Sequence, residues 1–514
     1  MGALRFKPWT GNLGGNCGPR ATCRGSRHGP PCPATDVIGL SSPPGLHPAD
    51  GTQTRHRVAG GSPGHARPRL AARPHQPQPA RPGRHRCHHP RLAFDRGAGR
   101  GDARRQPLLG VDGALLGTAL AAGPILAQAR GHGQRAGHGR GWVRQMRRGA
   151  RSALVASLIL LVPSLLILWH AGDLLRLLGQ DPGLAAAAGT YVRAMMWGLI
   201  PFCGFIVLRG FLAAMERPGP ALFVTGVAVV ANAVFGWLLV FGVGGWHGFG
   251  ILGAGLASTL ANLLMLGGLL LVVARDRRLG RFRLLGRFWR NDPARLREVF
   301  RIGLPISGQM LLEIGVFSAA ALAMGGFGAV AVAAHAIALQ TAALTFMVPM
   351  GIGQAATTRV GLLAGAGDLA GARRAGWVAI GLGAGFMLAT ATLLILAGRT
   401  ITGAFLNPAE PQAAAAATLG AVLLTIAGIF QLADGVQAVA AGALRGLKDT
   451  SVPMLFAALG YWGLGMPIGV GLAFWAGLGP AGLWVGLAAG LGIVAGLMLA
   501  RWRRLSRESA AAIA

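Results

Sequence analysis

Ten times after residue 150 the chain stays apolar for about 20 residues, the length that carries a helix through a bilayer at roughly 1.5 Å per residue. The runs are Ala153 to His170, Ala188 to Leu212, Pro220 to Phe241, Ile251 to Ala274, Arg301 to Phe327, Val330 to Ile352, Trp377 to Ala397, Ala416 to Leu444, Val452 to Trp475 and Ala481 to Ala500. Hydrocarbon offers no partner to a peptide group, so such segments must satisfy their own amides as helices. With 514 residues, 52% hydrophobic and 13% charged, the chain reads as an all-α polytopic membrane protein. The net charge of +32 invites a nucleic-acid partner, but most of the excess precedes residue 150 and the later arginines stand at the ends of apolar runs. There they report topology. The basic stretches Arg144 to Arg151, Arg275 to Arg297, Arg359 to Arg374, Arg445 to Lys448 and Arg501 to Arg507 alternate with Arg-poor loops, which places them, and the C-terminus, in the cytoplasm.

Two acids break the pattern. Glu313 sits near the middle of RIGLPISGQMLLEIGVFSAAALAMGGF, and Asp434 lies inside the run from Ala416. A charge at the centre of a span costs roughly 3 kcal/mol, so it is kept where it faces a cavity or binds something. The other acids after residue 150 fall in loops or at span ends. No nucleotide-binding loop, metal-ligand cluster or catalytic triad accompanies the pair, which argues against an enzyme.

Residues 1–107 differ in kind, being rich in Arg, Pro, Gly and His without an apolar span. His85, Cys87, His88 and His89 cluster there but lack a second ligand pair at finger spacing. The chain holds only two lysines, Lys7 and Lys448, as GC-rich coding would give. Such DNA read out of frame yields this composition, so the segment reads as a frameshifted or disordered replacement for genuine spans.

An internal repeat supports that view. Leu208-Arg209-Gly210 recurs as Leu444-Arg445-Gly446, GFGILGAGLA from Gly248 as GLGPAGLWVG from Gly477, and ILAQARG from Ile125 as LLAGAGD from Leu362, at offsets between 229 and 237 residues. Matched spans run the same way through the membrane, so two parallel bundles are expected. The offset assigns residues 108–278 to a first, incomplete bundle, 279–298 to a cytoplasmic linker, 299–505 to a second bundle and 506–514 to a tail. Counterparts of the Glu313 span and the next one would fall in the anomalous segment.

Two stretches then become recognisable. AAHAIALQTAALTFMVPMGIGQAATTRVGLLAGAGD, from Ala333, and FQLADGVQAVAAGALRGLKDTSVPM, from Phe430, resemble the multidrug and toxic compound extrusion family, in particular its bacterial NorM-like branch. The resemblance implies two six-helix bundles in a V-shaped antiporter that exports organic cations in exchange for Na⁺ or H⁺. It implies that the seventh-helix glutamate and tenth-helix aspartate, matched here by Glu313 and Asp434, bind the coupling cation, Na⁺ included. Asn232 matches the first of two fifth-helix asparagines, with Gly236 at the second place, and Phe430 replaces an aromatic that often carries a hydroxyl. The expected partners are small organic cations and membrane lipids, with no nucleic acid and no cofactor, for a monomer in a bacterial inner membrane. A lipid-linked sugar flippase of the same superfamily and a non-functional truncated product are the alternatives; scarce mid-span arginine argues against the flippase.

Two outcomes test this reading. One of the other two frames of the coding DNA across residues 1 to about 130 should encode two spans of ~20 residues resembling the Glu313 span and its successor; if neither does, the frameshift account is wrong. A reporter active only in the cytoplasm should work when fused after Ala514, and activity of a periplasm-only reporter there would reverse the orientation.

Overall fold

The computed structural model describes residues 116–137, 140–177, 179–243, 246–284, 286, 292–406 and 412–511. The readings made for residues 1–107 lie outside them. Helix α1 (Ala122–Arg135) precedes ten helices of membrane-crossing length among the described residues. These are α2 (Arg140–Trp169), α3 (Pro182–Ala214), α4 (Gly219–Phe241), α5 (Ile251–Arg275), α6 (Pro293–Gly325), α7 (Ala329–Ala366), α8 (Leu369–Phe405), α9 (Ala413–Gly446), α10 (Ser451–Trp475) and α11 (Gly479–Ala511). They coincide with the ten runs read from the sequence. The ends do not.

Most helices outrun the apolar stretch that nucleates them. The basic residues Arg144 to Arg151, expected as a loop, belong to α2, and α6 starts at Pro293, inside the stretch read as linker. Arg359 and Arg445 lie within α7 and α9. Arginine is a good helix former, so a span extends readily past the membrane until a residue stops it. Gly367, with φ of 83°, stops α7, and the side chain of Asp368 then caps α8 by accepting from the Gly371 amide at 2.7 Å. Asp181 caps α3 in the same way through the Leu184 amide.

Large apolar side chains point outward on several helices, among them Leu222, Phe223, Trp237 and Phe241 of α4 and Val378, Leu382 and Leu396 of α8. In water that surface would be costly. Against acyl chains it is neutral, which leaves close packing and buried polar groups to hold the helices together. The buried apolar residues form one large cluster between Ala119 and Ile306, a smaller one between Leu161 and Cys203, and a second large one between Val316 and Trp502. Helix α6 contributes to both large clusters. Its Val299, Ile302 and Ile306 belong to the first, and Val316, Ala320 and Met324 to the second. Pro305 and Glu313 lie on either side of the changeover.

Helices α7 and α9 meet backbone to backbone. Thr357 of α7 donates its hydroxyl to the Gly442 carbonyl of α9 at 2.7 Å, and a Cβ added at Gly442 would stand 2.3 Å from the Gly353 carbonyl oxygen. No rotamer change relieves a clash with backbone. Gly442→Val should therefore cost about 1–3 kcal/mol and lower the midpoint of thermal aggregation followed by fluorescence-detected gel filtration. An unchanged midpoint would mean that the two helices separate freely.

Candidate functional site

Helix α9 supplies most of the site because its polar residues recur at helical spacing on one face. Asp434, Gln437 and Arg445 follow one another at three and eight residues, with Gln431 three before the aspartate. Gln431, Asp434 and Gln437 are buried. Opposite them, α6 presents Gln309, which is buried, and Glu313, which is half-buried, one turn apart. Tyr461 completes the group from a π-helical stretch of α10, Ala458–Gly465, where glycines let that helix lie against α11.

Glu313 and Asp434 face each other closely enough to interact electrostatically, and the charge of Arg445 also reaches Glu313. Both carboxylates act on the Tyr461 hydroxyl. Arg445 donates from Nη2 to Gln309 Oε1 at 3.1 Å. Asp434 Oδ1, Gln437 Oε1 and Arg445 Nε are buried and complete no hydrogen bond, and the Tyr461 hydroxyl is buried beside Gln437. Native proteins leave few such atoms buried without partners, and these belong to the polar residues that α9 and α10 present toward α6.

One turn from each carboxylate, Phe317 and Phe430 approach with ring centroids 6.5 Å apart, and Phe430 meets Trp484 edge-on at 5.7 Å. Phe430 needs no hydroxyl there. Trp484 Nε1 donates to His335 Nδ1 at 3.1 Å, and Gln431 ties α9 to Thr345 of α7 and Thr390 of α8. Near the end of α9 that carries Arg445, Lys448 pairs with Glu298 at 2.7 Å and Arg501 with Asp449 at 2.9 Å.

The remaining acids have partners too. Glu216 bridges Arg130 of α1 and Arg359 of α7, Asp276 meets Arg217, Asp292 meets Arg148, and Asp173 meets His170 and Arg176. With Asp181 and Asp368 serving as caps, Glu313 and Asp434 are the two acids among the described side chains with neither an ion pair nor a hydrogen bond. The sequence singled out the same two. Asn232 is not brought to them. It lies exposed on α4, and at Gly236, one turn on, a side chain would enter open space.

Sequence reasoning missed Arg445, Tyr461, Gln309 and Gln437. Two signals were available: Gln309 and Gln437 stand one turn from the two acids, and Tyr461 is one of only two tyrosines in the chain, in the middle of a span.

The MatE family model matches residues 110–238 and 305–470. A "Probable multidrug resistance protein NorM" of Mesorhizobium japonicum is 46% identical over 392 residues, covering 76% of this chain and 83% of its own length. One of the same name from Brucella suis is 44% identical over 400 residues, 78% of this chain and 84% of its own. Among solved structures, a MATE protein in complex with MaL6 superposes with a TM-score of 0.70 at 18% identity, over 80% of this chain and 88% of that one. The Vibrio cholerae MATE transporter VcmN in its bent form gives 0.67 at 18% identity, over 80% and 89%. At such identities the likeness is one of fold.

Proposed function

The chain belongs to the MatE family, and from that premise we propose that it is a secondary active multidrug efflux antiporter, exporting organic cations in exchange for Na⁺ or H⁺. The observation that carries the reading is the pair of unpartnered carboxylates, Glu313 and Asp434, facing each other in a chain where the other described acids are engaged. Relatives named for multidrug resistance supply the substrate class. The membrane is the bacterial inner membrane, with the C-terminus in the cytoplasm, and the working unit is a monomer.

The chemistry follows from charge. Two like charges about 5 Å apart at an effective dielectric of about 20 repel by roughly 3 kcal/mol, so ionising both acids calls for a positive occupant. A proton, a sodium ion or the cationic centre of a drug each answers that need, and one excludes another. If the inward- and outward-facing states differ in affinity for these occupants, a gradient of the small cation drives the drug outward. Phe317, Phe430 and Trp484 stand beside the carboxylates, and the face of such a ring, where its quadrupole is negative, favours the positive charge of an aromatic cation.

Glu313→Gln and Asp434→Asn keep shape and hydrogen-bonding capacity while removing the ionisable group. Each should express near the normal level yet lose transport driven by an imposed Na⁺ or H⁺ gradient by at least about tenfold, the scale of a lost coupling free energy of about 1.4 kcal/mol. Vesicle uptake per mole of folded protein is the measurement. Structural acids would instead lower yield and leave transport per molecule intact, and wild-type rates in both variants would overturn the assignment.

A further inference from the structure

Arg445 is not spent on topology. It stands in the last turn of α9, but its guanidinium reaches across to α6, where Nη2 holds Gln309 Oε1 one turn from Glu313 and Nε is left buried without a partner. Acids nearer the cytoplasm are already taken, Glu298 by Lys448 and Arg295, Asp449 by Arg501. The carboxylate left for it is Glu313, whose charge it feels.

We propose that Arg445 is the built-in counter-ion of Glu313 and that it limits the site Glu313 shares with Asp434 to one exchangeable positive charge. A guanidinium does not lose its proton in a protein, so this positive charge is permanent. With both acids ionised, the three groups leave one negative charge uncompensated. Tyr461 and Gln437, the other polar groups facing the pair, are uncharged at neutral pH. One monovalent ion or one cationic centre therefore fills the site, and a dication overfills it. The inference rests on the reading that these carboxylates bind the exchanged cations, and it adds the number of charges exchanged and the residue that sets it.

The test compares purified full-length protein binding tetraphenylphosphonium, with one charge, and methyl viologen, with two, by isothermal titration. Arg445→Gln should raise the affinity ratio of dication to monocation at least about tenfold, whereas Arg445→Lys, which keeps the charge, should leave it near wild type. Glu313→Gln should weaken monocation binding, because Asp434 and Arg445 then leave the site with no net charge. Adding Arg445→Gln to Glu313→Gln should restore monocation binding by uncovering one net negative charge. That double variant reads out even if Arg445→Gln alone does not fold. An unchanged ratio in Arg445→Gln, or no recovery in the double variant, overturns the counter-ion. If Glu313→Gln and Asp434→Asn change neither affinity, the cation-binding reading itself fails, a different result from weakened binding that Arg445→Gln does not rescue.

Discussion

A charge removed from water must find an opposite charge or a set of hydrogen bonds within a few ångströms, and this requirement accounts for where most acids among the described residues stand. Arg151, buried between α2 and the loop after α5, is held by the carbonyls of Leu284 and Arg283 at 2.9 and 3.0 Å. Glu216 occupies the left-handed turn between α3 and α4, with φ of 57°, and from there reaches an arginine on α1 and another on α7. Helix ends, turns and pairs are arranged so that local matching succeeds. It is left incomplete around Glu313 and Asp434, inside a well-packed bundle.

Helix α9 makes that incompleteness sustainable. It is buried along much of its length, packs on α7, α8 and α11, and carries a second polar residue, Gln431, that is fully satisfied by neighbours on two helices. Gln431 fixes the helix's rotation about its axis. Asp434, three residues on, then cannot turn away from Glu313 to find lipid headgroups or water. Its cost is met by the packing around it rather than by a partner of its own.

Much of this was legible in the sequence, for identifiable reasons. The ten spans follow from run length, and Glu313 and Asp434 stand out because an acid in such a run is expensive. Arg445 was hidden by a sufficient simpler account: an arginine at the end of an apolar run already explains itself as an orientation signal, and only the fold reveals that its side chain turns inward. Tyr461, Gln309 and Gln437 carry no charge, so the penalty that flags an acid does not flag them. The π-helical register of α10 depends on how closely its glycines approach α11, a tertiary fact with no local pattern. Asn232 came from resemblance alone, and its exposed position on α4 separates it from the acids that cost also identified.

The backbone contact between α7 and α9 divides the site into unequal partners. Where helices touch through glycine and carbonyl atoms there are no side chains to repack, so Asp434, Gln437 and Arg445 are mounted on a seam that behaves as a stator. Helix α6 is mounted differently: Pro305 interrupts its hydrogen bonding, one end lies in each large apolar cluster, and Glu313 stands near the changeover. Glu313 is thus carried by the one helix that belongs to both large clusters, and Asp434, Gln437 and Arg445 by a helix whose seam has no side chains to give way.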